Sequence, residues 1–217
     1  SWNVAVRVAL LLGFAWLAGR FWHPYYGFTR FLQLDEQSAA LTVPELRGAP
    51  LFTYADGYDG HYYAQLAARP LADDSALQTS VDNLSYRARR ILLSWLAWAA
   101  GGGDALAAVR AYAWLNVALW FGLAALLWRI FPATGGRETI AWAGILFSAG
   151  VLHNVRLALT DLLAVLLITG AVVLAERRRL GRAGVLLGLA GLTRETALLG
   201  TVAGIPTERW EWRVLLR

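Results

Sequence analysis

Residues 105–130, ALAAVRAYAWLNVALWFGLAALLWRI, decide the fold class. The run is apolar apart from Arg110, Asn116 and Arg129. It exceeds the roughly 20 residues an α-helix needs to cross a bilayer, and Asp104 stands just before it as an N-cap. The composition of the whole chain agrees. Of its 217 residues, 58% are hydrophobic and only 16% charged, where a soluble domain carries about 25%. Mean hydropathy is +0.45. These values exclude an ordinary soluble globular protein and point to an all-α, polytopic integral membrane protein. With no cysteine there are no disulfides, thiolate metal sites or cysteine nucleophiles. All 20 basic residues are arginine, which excludes a lysine nucleophile or Schiff base. The net charge of +5 is read as topology signal and headgroup contact, not nucleic-acid binding.

Four more stretches look able to span. They are Asn3 to Phe21, Thr139 to Leu152 extended by His153 and Asn154, Arg156 to Ala175, and Ala183 to Ile205. Val8 to Ala18 could pass for the apolar part of a signal peptide. Arg20, Phe21 and Trp22 follow it instead of a small-residue cleavage site, so it reads as an uncleaved span. A sixth helix would begin at Trp210, and the sequence ends at Arg217, where that helix would be starting. Ile91 to Ala100 is apolar but short: about 15 Å of helix against a core of about 30 Å. It reads as an interfacial or partly inserted helix. With the N-terminus cytoplasmic and that helix not crossing, Arg129, Arg137 and the cluster Arg177-Arg178-Arg179 with Arg182 all fall inside, as the positive-inside tendency requires. The expected organisation is a first span (1–22), a large extracytoplasmic loop bearing interfacial helices (23–103), a four-helix membrane region (104–205) and the start of another helix (206–217).

The loop concentrates carboxylates, with eight acidic residues against six arginines, and it is rich in aromatics. Its densest part is Tyr54-Ala-Asp56-Gly57-Tyr58-Asp59-Gly60-His61-Tyr62-Tyr63. The two Asp-Gly pairs are turn chemistry, and Tyr62 to Ala68 looks helical. Asp59 near that helix's start is either a cap or a carboxylate that accepts a proton or binds a divalent cation. Asp161 lies about one and a half turns into the fourth span, and an ionisable group there marks a functional site by default. Its other reading is an ion pair with Arg156. Thr193-Arg194-Glu195-Thr196 lies deep in the fifth span, either as an interhelical pair or lining a cavity. Gly184 and Gly188 have the spacing of close helix packing. Tyr86-Arg87-Ala-Arg89-Arg90 places a basic cluster at a loop–membrane junction, suited to lipid headgroups or a lipid-linked phosphate.

Gly57-Tyr-Asp-Gly-His-Tyr-Tyr-Ala-Gln-Leu-Ala resembles the extracytoplasmic signature of polyprenol-dependent membrane glycosyltransferases of the C superfamily. It looks closest to bacterial proteins related to the GPI and dolichol-phosphate mannosyltransferases. Tyr86-Arg-Ala-Arg-Arg-Ile-Leu-Leu-Ser-Trp-Leu resembles the segment that often follows, and Arg156 to Asp161 resembles the second acidic motif. The order matches over roughly residues 1–205. The resemblance implies a catalytic-base or metal-linked role for Asp59 and a supporting acidic role for Asp161. It also implies more spans than this chain contains, the absent portion often contributing to the donor-lipid groove.

The expectation is therefore a protein of the bacterial cytoplasmic membrane that moves a sugar from a polyprenyl-phosphate donor to an extracytoplasmic acceptor. Asp59, Asp161 and His61 would be catalytic, with Asp56 and Asp59 as holders of a divalent cation. Arg87, Arg89, Arg90, Arg156 and Arg194 would bind the donor phosphate. The partners would be the bilayer, the lipid-linked sugar and other membrane chains. Two rivals stand beside it: a non-catalytic subunit of a bioenergetic or transport complex, and a transporter fragment with Arg194 and Glu195 along its path.

Overall fold

The computed structural model describes residues 1–72, 75–197 and 199. It is almost wholly helical. The helices are α1 (Trp2–Gly19), α2 (Glu36–Ala40), α3 (Gly60–Ala68), α4 (Ser75–Ser80), α5 (Leu84–Ala88), α6 (Leu92–Ala100), α7 (Ala105–Ile130), α8 (Gly136–Leu146), α9 (Ala149–Arg156), α10 (Asp161–Glu176) and α11 (Leu180–Gly191). Two-residue strands β1 (Leu34–Asp35) and β2 (Thr53–Tyr54) pair in parallel, Leu34 opposite Thr53. Among the described residues, α1 and α7 are long and apolar enough to cross a membrane.

Helix α7 is the axis of the fold. The Asp104 carboxylate accepts from the Ala107 amide at 2.7 Å, closing the helix start as its sequence suggests. Halfway along, Trp120 is fully buried and stacks on Phe14 of α1 with ring centroids 3.6 Å apart. Two indoles fasten α7 to α8: Trp120 donates to Leu146 O and Trp142 to Ala124 O. Below them the Arg7 side chain is wholly buried. It donates to Phe131 O, Pro132 O and Thr139 Oγ1 and lies over the rings of Trp128 and Trp142. A guanidinium at a helix C-terminus satisfies carbonyls that the helix leaves unpaired. Arg7 thereby ties α1 to the α7–α8 connection, while Trp2, Leu12 and Trp16 on α1 stay exposed.

The remaining expected spans are shorter or interrupted. Thr139 to Asn154 is not one helix, because it breaks between α8 and α9 at Phe147 and Ser148. The Ser148 hydroxyl donates to Ile145 O, a local bond that competes with continuation of the helix. Arg156 to Ala175 is also not one helix. Arg156 ends α9, and Asp161 is the first residue of α10 instead of lying one and a half turns in. Between them Ala158 adopts a left-handed φ of 48°. The freed carbonyls are met from α7, where Tyr112 donates to Ala158 O at 3.0 Å and Asn116 to Leu159 O at 2.8 Å. These two residues, four apart on one face of α7, exist to hold that unwound segment. Helix α11 starts at Leu180 and ends at Gly191, so Thr193, Arg194 and Glu195 lie past its end instead of mid-helix. The last residues of the fifth expected span and the helix expected from Trp210 lie outside the described residues. A Cβ added at Gly184 or Gly188 would meet nothing within 4 Å among the described residues, so neither marks a close helix contact there. Helices α10 and α11 pack instead where Ala190 meets Ala164, Leu167 and Ile168 and where Leu186 comes up against Gly170.

Residues 23–103 form mostly short helices whose buried side chains join the same core as α1, α7 and α8. Those side chains include Val43, Leu46, Tyr63, Leu66, Leu77 and Leu93. Helix α6 is the short apolar helix read at Ile91 to Ala100. It turns through Gly101, Gly102 and Gly103 and folds back along α7. A Cβ on Gly101 would sit 2.4 Å from the Ala108 amide nitrogen, so the hairpin needs glycine there.

Candidate functional site

The site forms where α3, α5 and the α9–α10 break meet. Asp59 occupies the position before α3, but its side chain makes no capping bond. Both carboxylate oxygens instead accept from Arg87, Oδ2 from Nη1 at 2.7 Å and Oδ1 from Nη2 at 2.9 Å. The cap reading of Asp59 gives way to a long-range, bidentate pair. Arg87 donates on its other edge to Asp82, at 3.0 and 2.8 Å, and to the Tyr63 hydroxyl at 3.3 Å. The rings of Tyr62, Tyr63 and Tyr86 surround the guanidinium. Arg87 has a side-chain exposure of 6%, Asp59 of 46%. A buried cation thus presents a half-exposed carboxylate. Burial works against the Arg87 charge, yet Asp82 and Asp59 more than compensate and raise its pKa. Its bonds to Arg87 hold Asp82 below the usual carboxylate range.

Two further ion pairs extend the array. Arg90 donates to Glu195 at 3.3 Å and lies over Tyr86. Arg194 pairs with Asp161. Asp161 therefore pairs with a residue past the end of α11, not with Arg156. Arg156 donates to Arg30 O and to the Tyr54 hydroxyl. Arg89 and Asp56 are exposed. Of the residues expected to hold phosphate, Arg87 has its fork filled by two carboxylates, and Arg90 and Arg194 are each paired. Both oxygens of Asp59 face Arg87, and among the described residues no three His, Asp or Glu side chains converge as metal ligands. The donor set does not fit a divalent cation at Asp56 and Asp59.

His61 is 3% exposed. Its Nδ1 lies 2.7 Å from Tyr58 O, an atom that only accepts, so Nδ1 carries the proton. Nε2 is buried without a partner among the described residues. Burial lowers the His61 pKa, opposed by the Tyr58 carbonyl and the charges of Asp35, Asp59 and Asp82. A histidine held below about 6.5 binds fewer protons folded than unfolded. Stability that is fully present above that pH is therefore lost as the pH falls. The thermal midpoint of the purified protein is expected to drop between pH 7 and pH 5, and His61→Gln is expected to flatten that slope. An unchanged slope in the variant would place the acid sensitivity elsewhere.

Sequence spacing missed three participants. Asp82 and Tyr63 complete the Arg87 shell, and Asp35 sits under the turn, its carboxylate held by the Ser38 amide and hydroxyl at 2.8 and 2.7 Å. A Cβ on Gly57 would strike Asp35 Oδ2 at 2.3 Å, so the first Asp-Gly pair closes directly over this carboxylate. A signal for Asp82 was available in its five-residue spacing from Arg87, but nothing local distinguishes it from a solvated charge.

Comparison with known proteins bears on the second half of this site. No curated protein and no solved structure matches the chain. The model of glycosyltransferase family 87 does match, over residues 89–216, more than half of the chain. That segment contains Arg90, Arg156, Asp161, Arg194 and Glu195, and with them the ion pairs Arg90–Glu195 and Arg194–Asp161. On that match, and with two helices fit to cross a membrane, the chain belongs to glycosyltransferase family 87.

Proposed function

We propose that the protein transfers a sugar from a polyprenyl-phosphate donor to an acceptor hydroxyl at the extracytoplasmic face of a bacterial cytoplasmic membrane, with Asp59 as general base. The observation that carries this reading is the half-exposed Asp59 carboxylate clamped by a buried arginine. Each carboxylate oxygen has two lone pairs, so an oxygen bonded to Arg87 still has one left for an acceptor hydroxyl. In the reaction the acceptor O–H bond breaks and its proton passes to Asp59. The acceptor oxygen bonds to the sugar's anomeric carbon, and the bond from that carbon to the phosphate oxygen breaks. The electron pair leaves with the polyprenyl phosphate, whose charge fixed cationic donors stabilise. Asp161 would support this by holding Arg194 at the site.

Membrane orientation is supported by helix direction. Helix α10 runs alongside α7 in the same sense. Asn116 reaches Leu159 just before α10, and Gly122, a turn and a half further along α7, lies against Leu166. The arginines at 177–182 therefore lie toward the same end as Arg129, opposite the 23–103 segment. That distribution suits a cytoplasmic end. Family membership favours catalysis over the subunit reading. The pairing of Arg194 with Asp161, and of Glu195 with Arg90, gives no support to a transport path.

The test is reconstitution in liposomes with polyprenyl-phosphate-linked hexoses and pentoses and a panel of alkyl glycoside acceptors. The expected result is release of polyprenyl phosphate coupled to acceptor glycosylation, with nucleotide sugars inactive. Transfer from nucleotide sugars alone would overturn the donor assignment.

A further inference from the structure

Most arginines at the site are matched to carboxylates: Arg69 to Glu45, Arg87 to Asp59 and Asp82, Arg90 to Glu195 and Arg194 to Asp161. Arg30 and Arg156 are not, among the described residues. They flank one aromatic pair. The Arg30 guanidinium lies 4.6 Å from the centre of the Phe52 ring and 5.4 Å from that of Tyr26. Arg156 lies 5.7 Å from Tyr54 and 5.1 Å from Phe21. The Phe52 and Tyr54 rings are themselves 4.8 Å apart. The two arginines are also joined directly, since Arg156 Nη1 donates to Arg30 O. None of the five Arg30 N–H donors meets an acceptor among the described residues, and its Nε is shut off from solvent. Contact with ring faces uses the plane of a guanidinium and leaves its edge donors unanswered. Arg30 with its donors unmet adjoins Arg156, whose two bonds go to the neutral acceptors Arg30 O and Tyr54 Oη, and two cations with no carboxylate partner among the described residues are the complement of an anionic ligand.

The location gives that anion a role. Arg30 belongs to the turn Thr29–Leu32, and Arg156 precedes Leu157. Leu32 O and Leu157 O both abut Gly60, the residue after Asp59. His153, one turn before Arg156, meets the Tyr58 ring edge-on at 5.8 Å. The pair is therefore linked to the Asp59 turn through Leu32, Leu157 and His153.

We infer that Arg30 and Arg156 form a subsite for a phosphate ester of a lipid, with Arg30 as the principal unassigned ligand. The inference rests on the proposed transferase reading only for which lipid supplies the phosphate. Polyprenyl phosphate without sugar is the probe, bound to the purified full chain in detergent, so the measurement needs no turnover. A hydrogen bond to a charged group contributes enough that removing one arginine should weaken binding about 10- to 100-fold. Arg30→Gln and Arg156→Gln are expected to show that loss, Arg30→Lys a smaller one, and the exposed Arg47→Gln none. Thermal midpoints check that each variant is folded. Where Arg156→Gln unfolds, Arg30→Gln with Arg30→Lys carries the test, because the Arg30 side chain makes no hydrogen bond that holds the fold. A second arm measures co-purifying anionic phospholipid. Its loss in the Gln variants, with polyprenyl phosphate binding unchanged, would assign the same subsite to a bilayer headgroup. Wild-type behaviour of folded Gln variants in both arms would overturn the subsite. Absence of transfer in the wild type would count against the proposed reaction and leave the binding result standing.

Discussion

Asp59→Asn is expected to lower sugar transfer by about 100- to 10,000-fold, the usual contribution of a positioned general base. The change is nearly isosteric, so its effect on the fold should be small. Arg87 keeps both bonds to Asp82 and its contact with Tyr63. One Asn oxygen can still accept from Arg87, while the amide NH2 turns a donor toward a donor. What is lost is the negative charge that takes the acceptor's proton. Asp82→Asn is the informative partner, because it removes the same type of ion pair from the same arginine. If Asp59 is the base, Asp82→Asn should retain transfer within a few-fold and Asp59→Asn should not. Equal losses in both would mean that Arg87 needs its full carboxylate shell for structure and that Asp59 has no separate chemical role. Initial rates at saturating donor, paired with thermal midpoints, separate these results.

How much of this could be read from the sequence depends on range. The apolar length of 105–130, its cap at Asp104 and the short helix at 91–100 are local properties, and each is found in the fold. The turn around Asp56 and Asp59 is equally local. The partner of Asp59 is not: Arg87 lies 28 residues away, and capping was the nearer use for an aspartate before a helix. The departures from the expected spans share one cause. Hydropathy sees apolar runs but not the points where backbone bonds are handed to another helix. Arg156 to Ala175 is continuous in hydropathy, yet Tyr112 and Asn116 on α7 accept the cost of breaking it by taking the carbonyls of Ala158 and Leu159. Those two polar residues in the stretch at 105–130 were the available signal. Arg30 escaped notice because its significance lies in what it lacks, a carboxylate partner, and only the fold shows that.

The same break predicts the largest structural effect of a small substitution. A Cβ on Gly60 would stand 2.3 Å from Leu157 O, 3.1 Å from Leu32 O and 3.3 Å from the Ala158 side chain. Two of these neighbours are backbone oxygens, and the Leu157–Leu159 backbone is pinned from α7. Nothing near Gly60 can move aside cheaply. Overpacking a well-filled site typically costs about 1–3 kcal/mol, and Gly60→Val should reach the upper end or beyond. For a domain of this size about 3 kcal/mol corresponds to a fall in thermal midpoint of roughly 6–12 °C. Gly184→Ala is the contrast. Its Cβ meets nothing within 4 Å among the described residues, and alanine favours a helix over glycine by up to about 1 kcal/mol. Its midpoint should hold or rise slightly. Gly60→Ala tests the link to function. Any relief of the clash must shift the start of α3, and Asp59, the residue before it, shifts relative to Arg87 with it. Transfer should therefore fall by more than the loss of folded protein accounts for. A Gly60→Ala variant with a wild-type midpoint and a wild-type rate per folded molecule would show that the α3 start does not set the aim of Asp59.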